Sequence, residues 1–101
     1  VPKGILLVQS RPASEDDADA YHEWYDNTHL PEILGVDGFV SARRFAAADG
    51  DSFLVIYEVD DVDRAKAAMA EGRESRSRPV GVQLDPPPTV QWFCDLARTE
   101  T

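Results

Sequence analysis

Two short apolar runs constrain this chain more than anything else in it. Ile5-Leu6-Leu7-Val8 and Phe53-Leu54-Val55-Ile56-Tyr57 place apolar side chains at consecutive positions. A strand with one wet face alternates apolar and polar residues, so each run reads as a strand buried on both sides. The chain has 101 residues, one domain with a modest core of its own. Its pattern supplies only two helical segments to cover those strands.

The punctuation between the runs sets their order. Ser14, followed by Glu15, Asp16 and Asp17, reads as a helix N-cap with acids favourably placed in the first turn. The helix is predicted to end near Asn27 or Thr28, because Pro31 disfavours helical geometry at Leu30. Residues 30–34 then form a separate turn, with Pro31 at an allowed first position, broken by Gly35 and Gly38. Residues 39–47 read as a second strand, Asp49-Gly50 as a hairpin signal and residues 53–59 as a third strand. Asp60 or Asp61 caps a second helix over residues 62–73, with Val62, Ala65, Ala68 and Met69 on one face. Residues 74–88 are irregular and end in three prolines, which continue neither a helix nor a central strand. Residues 89–96 make the fourth strand, with Val90, Trp92, Cys94 and Leu96 on one face.

The order β-α-β-β-α-β predicts an α+β, ferredoxin-like fold. A four-stranded antiparallel sheet carries both helices on one face. The opposite face would then leave Phe and Leu side chains in water, a large exposed patch. Another chain must cover it, or it must line a ligand cavity, or both. A homodimer through the sheet face is the simplest closed solution.

Charge and composition exclude several partners. Nineteen acids against ten bases give a net charge of −9, which argues against nucleic acid and against anionic membrane surfaces. No apolar run approaches the ~20 residues of a membrane span, and Gly4 to Val8 is too short for a signal peptide. Cys94 is alone, so no internal disulfide or thiolate metal cluster is expected. The expectation is a cytoplasmic protein. No phosphate loop, nucleophile elbow or dinucleotide fingerprint is present, so no cofactor is expected.

The chemistry-bearing residues concentrate in residues 21–34, which hold two tyrosines, one tryptophan and both histidines. Tyr21 and Tyr25 are four apart, and Trp24, Tyr25 and Thr28 share a side, so one helix face is aromatic. Such a stripe is often simply core, with His29 as a packing or capping residue. The alternative is a site, with a titratable imidazole beside an aromatic wall. His22, Asp26 and His29 also share a face, a spacing that can bind a divalent metal, but no specific metal motif accompanies it. The expectation is no metal.

The run Trp24-Tyr25-Asp26-Asn27-Thr28-His29-Leu30-Pro31-Glu32, followed by Gly38-Phe39 and Ala42-Arg43-Arg44-Phe45, resembles the EthD-like branch of the dimeric α+β barrel superfamily. The resemblance covers nearly the whole chain in element order and about a quarter of it in motif. It implies two chains pairing their sheets into a barrel, each with a pocket between sheet and helices. The wider superfamily includes cofactor-free monooxygenases, polyketide cyclases, an isomerase and haem-degrading proteins, so fold does not dictate the reaction. His29 matches the family's histidine and would serve as acid or base, with Tyr25 and Asn27 as orienting groups. Trp24, Tyr57 and Trp92 would wall a substrate pocket. Arg43 and Arg44 lie on opposite faces of the second strand, so only one can face a pocket; the sequence leaves open which, with Arg44 taken as the candidate to reach substrate. Arg73, Arg76 and Arg78 form a basic cluster that could hold an anionic group, or balance Glu71 and Glu74 as a solvated loop.

The expected function is a small cofactor-independent enzyme acting on an apolar aromatic or polyketide-like molecule by acid/base chemistry, of cyclase, isomerase or monooxygenase type. The alternative is a non-catalytic binding or auxiliary protein using the same pocket. A third reading is a structural dimer whose barrel is filled by side chains.

Overall fold

The structure is a computed structural model that describes residues 3–50, 52–72 and 88–97. The basic cluster at Arg73, Arg76 and Arg78 and most of the irregular connection lie outside the described residues. Strands β1 (Gly4–Ser10), β2 (Phe39–Ala46), β3 (Phe53–Val59) and β4 (Thr89–Cys94) form one antiparallel sheet in the order β2-β3-β1-β4. β1 and β3 are the central strands. Leu6 sits opposite Tyr57 on one side and Trp92 on the other. This is the ferredoxin-like arrangement that the element order predicts.

The first helical segment opens as expected. Ser14 accepts a hydrogen bond from the Asp16 backbone N–H, and a 3-10 turn at Glu15–Asp17 leads into α1 (Ala18–Trp24). The expected break after Thr28 does not occur. The chain widens into a π-helical turn at Tyr25–His29 and continues as α2 (Leu30–Leu34). Leu30 is fully helical at φ −60° and ψ −47°, and its N–H reaches back to the Tyr25 carbonyl, one residue further than in an α-helix. The wider turn changes the register just ahead of Pro31, which has no N–H to donate, so the axis passes the proline without ending.

α3 (Val62–Glu71) is capped by Asp61, whose side chain accepts from the Arg64 N–H at 3.1 Å; Asp60 instead takes the Arg64 guanidinium at 2.8 Å. The helix runs to Glu71 with Gly72 as its C-cap, two residues short of the expected end at residue 73. Gly38 turns the chain from α2 into β2 at φ +94°, and a Cβ there would lie 3.0 Å from that of Ala65, so α3 packs directly over it. Positive φ and close approach together require glycine. β4 stops at Cys94, and Leu96, expected within the strand, lies beyond it and is almost fully exposed.

The core lies between the helices and one sheet face. Leu6, Val55 and Tyr57 from the sheet meet Tyr21, Tyr25 and Ile33 from the helical segment, and Val59 meets Val62 and Ala65. Strand alternation turns Ile5, Leu7, Phe45, Leu54, Ile56 and Phe93 to the opposite face. Both central strands are thus apolar on both sides, as their sequences require.

Candidate functional site

A bulge decides which arginine enters the core. Counting by twos from Phe39 would put Arg43 on the helix side. The β2–β3 register shifts between Phe39 and Ser41, which inverts the phase, so Ala42 lies opposite Tyr57 and Arg44 opposite Val55. Arg44 therefore points under the helix, 17% exposed at its side chain. Arg43 stays on the other face, its guanidinium 4.9 Å from the Phe45 ring centre.

Beneath the helix, Arg44 links strand to helix. One terminal nitrogen donates to Asp26 at 2.9 Å and the other contacts His22 Nδ1 at 3.0 Å. Its guanidinium carbon lies 4.7 Å from the centre of the Tyr25 ring, a cation–π distance. Asp26 is 58% exposed, so the ion pair itself contributes little, about 0–1 kcal/mol. Geometry is what it provides: it fixes a planar cation against an aromatic core.

The tyrosines converge on the end of β1. Ser10 is buried there, with its hydroxyl 2.6 Å from Tyr21 Oη and 3.3 Å from Tyr25 Oη. The two rings meet edge to face at 5.0 Å. Burial, more than any neighbouring charge, raises the Tyr21 pKa.

The π turn controls His29. In an α-helix, residues five apart point in different directions; the wider turn brings them together. His29 stacks on Trp24 with ring centres 4.3 Å apart and planes 18° from parallel, and meets Tyr25 edge-on at 5.3 Å. The same change of register removes it from the side shared by His22 and Asp26. Those two close on Arg44 instead, and no group of three metal-ligating side chains forms among the described residues. Asn27 is exposed, and its neighbour Asp26 is committed to Arg44. Trp92 is half-buried on the helix side of β4, with its ring centre 6.1 Å from that of Phe39.

Three polar atoms in this core are buried without a hydrogen-bond partner among the described residues: Tyr57 Oη, Arg44 Nε and Trp24 Nε1. Tyr57 is 1% exposed. Burial above all, then the neighbouring Tyr25, pushes its pKa far above the ordinary tyrosine value, so the hydroxyl keeps its proton. Arg44 is close enough to oppose that shift. All three atoms can donate, and an orphaned buried donor costs about 1–3 kcal/mol.

Two openings flank Phe53. A shallow cavity of about 160 Å³ is lined by His22, Arg44, Phe45, Ala46 and Phe53. It is comparable to a cavity that holds one benzene ring. A wider cleft of about 350 Å³ lies under the β1–helix connection and reaches Arg11, Ser14, Glu15 and Phe53. Sequence reasoning singled out neither Phe53 nor the His22–Arg44–Asp26 contact. Both depend on pairings across the sheet that no local pattern announces.

His22 has a pH signature. Burial first, and then Arg44, lower its pKa, against the opposing pull of Asp26 and Asp19. A histidine depressed in the folded state binds fewer protons there than in the unfolded state below its ordinary value. Its stabilising contribution is complete above about pH 6.5 and is lost as pH falls through the folded value. Melting temperatures measured from pH 7.5 down to 5 should fall in that window, and His22→Gln should flatten the fall. An unchanged profile in the variant would remove His22 as its source.

No family model and no curated protein sequence matches the chain. Its fold does recur among solved structures. Rv0793 from Mycobacterium tuberculosis matches it with a TM-score of 0.69 at 16% identity, over 97% of this chain and 99% of that one. A monooxygenase from the gene ActVA-Orf6 of Streptomyces coelicolor, solved in complex with the ligand nanaomycin D, matches with a TM-score of 0.54 at 17% identity, over 97% and 92%. The likeness is one of fold: the same α+β, ferredoxin-like arrangement of a four-stranded antiparallel sheet with helices. No helix among the described residues is long and apolar enough to cross a membrane.

Proposed function

We propose that this chain is a small cofactor-independent enzyme that takes an apolar aromatic molecule bearing a phenol or carbonyl oxygen and works on it by acid/base chemistry. The observation that carries this reading is the trio of orphaned donors, Tyr57 Oη, Arg44 Nε and Trp24 Nε1, on one aromatic core. Donors without acceptors suit a ligand that brings the acceptor. An oxygen accepting from Arg44 and Tyr57 would be polarised, which is what cyclisation, isomerisation or oxygenation beside a phenol or carbonyl requires. The fold supports the reading, since a monooxygenase shares it. Membership of the EthD-like branch, a homodimer through the sheet face and a cytoplasmic setting belong to the same proposal, with no nucleic acid or membrane as partner.

His29 is the acid/base group in this proposal, with Tyr25 and Asn27 beside it and Trp24, Trp92, Tyr57 and Arg44 around the ligand. One observation favours the non-catalytic alternative: His29 lies flat on Trp24, as a packed side chain does. Native mass spectrometry of the purified protein tests for the ligand directly. A co-purified aromatic oxygen compound is the expected result, and its turnover by wild type but not by His29→Ala separates enzyme from binder.

Tyr57→Phe isolates the donor. Removing a hydroxyl that has no partner among the described residues should leave stability unchanged or raise it by up to about 1 kcal/mol. Affinity for the co-purified compound should drop. A variant that is clearly less stable, or that binds the compound as well as wild type, would remove Tyr57 from the site.

A further inference from the structure

The Arg44 guanidinium is tied at its two terminal nitrogens, and the third is buried. Asp26 and His22 hold the terminal nitrogens, while Nε has no partner among the described residues. The two ties differ in kind. The Asp26 carboxylate is an acceptor only. A guanidinium can only donate, so His22 Nδ1 must accept with its lone pair, and the neutral ring carries its proton on Nε2. Protonating Nδ1 would put an N–H where the lone pair sits and a second positive charge 3.0 Å from the first. The contact does not survive that step.

We propose that His22 is a proton-operated latch on Arg44: the neutral imidazole holds the guanidinium with Nε facing the ligand oxygen, and protonation frees it and weakens ligand capture. His22 is thus a positioning residue, acting through Arg44. The proposal rests on the reading of Arg44 as a ligand-binding group.

The groups packed around His22 make the latch responsive. On its own helical segment, Asp19 and Asp26 favour the charged ring. From β2, Arg44 opposes it, and Phe45 and Ala46 line the cavity beside it without charge. From β3, Phe53 meets it edge-on at 4.5 Å, and Tyr21 does the same at 5.2 Å from one residue before. Both rings keep water from the imidazole. The charges nearest the ring thus compete, and a proton shifts the balance.

The test uses the full isotope-labelled chain without ligand, followed by a probe. NMR titration between pH 7.5 and 5 should find the neutral His22 ring protonated on Nε2. The Arg44 Nε–H resonance should move with the same midpoint as His22. In His22→Gln, whose amide oxygen can still accept from Arg44, that resonance should not respond to pH. The probe is 2-naphthol, a phenol that stays neutral over this range. Its binding to wild type should weaken about tenfold from pH 7.5 to 5, the loss expected for one charge-assisted contact, and should stay constant in His22→Gln. An Arg44 resonance indifferent to the His22 titration, or a neutral ring protonated on Nδ1, overturns the latch. If Arg44 follows His22 but 2-naphthol binds at neither pH, the latch stands and the ligand role of Arg44 falls. If 2-naphthol binds equally at both while Arg44 stays still, the latch falls and the ligand role stands.

Discussion

Tyr25→Ala is expected to destabilise the chain by about 3–5 kcal/mol, the range for truncating a large buried aromatic side chain. Tyr25 is 2% exposed. Its ring touches Tyr21, Trp24 and His29 at centroid distances of 5.0, 5.0 and 5.3 Å, and the Arg44 cation lies over it at 4.7 Å. Truncation opens a void and strips four partners of contacts at once. It also removes a side chain from the π turn that brings His29 onto Trp24. Tyr25→Phe keeps all of this and loses only a 3.3 Å contact to Ser10, which Tyr21 already holds at 2.6 Å. That variant should cost about 1 kcal/mol or less. Small domains are stable by roughly 5–15 kcal/mol, so the alanine variant sits near the edge of folding. Its loss of activity would say nothing about catalysis, and the phenylalanine variant is the informative one. Urea melts of both decide the matter: an alanine midpoint close to wild type would refute Tyr25 as the hub of the core.

The contrast between Tyr25 and Arg44 shows what the sequence made legible. Element order, the Ser14 cap, a cap at Asp60 or Asp61 and the two-sided strands follow from local pattern, because period and capping chemistry are local. The aromatic face was visible as Tyr21, Trp24 and Tyr25 for the same reason. Two irregularities were not. A single bulged residue in β2 places Arg44 rather than Arg43 beneath the helix, and nothing in Phe39-Val40-Ser41 announces it. A π turn carries the helix past Pro31, where the proline argued for a stop. Each inserts one residue into a regular period, so counting goes out of phase beyond it. His29 was legible as a residue beside an aromatic wall, but its flat stacking on Trp24 comes from the changed register. His22 and Asp26 looked like candidate metal ligands at helical spacing. Arg44 takes both, and that pairing crosses the space between helix and sheet.

Replacing Leu7 and Ile56 together by aspartate is expected to convert the proposed homodimer into a folded monomer. The two residues pair directly across β1 and β3 at the centre of the sheet face opposite the helices. Ile5, Leu54, Phe45 and Phe93 extend the apolar surface around them, while Arg43, Gln91, Gln9, Thr89, Ser41 and Glu58 are the polar residues of this face. Arg43 and Gln91 flank the Leu7–Ile56 pair in its own rung, so the face mixes apolar and polar groups as protein interfaces do, and a stable interface buries roughly 800 Å² per partner. A two-fold pairing of this face sets Leu7 and Ile56 of one copy near those of the other. The double variant would gather four carboxylates in a space without water, a cost far beyond what the remaining contacts recover. In the separated chain the same carboxylates are solvated, and each costs the strand about 1 kcal/mol in propensity. Light scattering should therefore give wild type twice the chain mass of 11.2 kDa and the variant that mass once, with an unchanged far-ultraviolet spectrum. A wild-type monomer at micromolar concentration would refute the dimer outright. A double variant that stays dimeric would place the interface elsewhere and leave an apolar sheet face in water, the arrangement that the two-sided strands argue against.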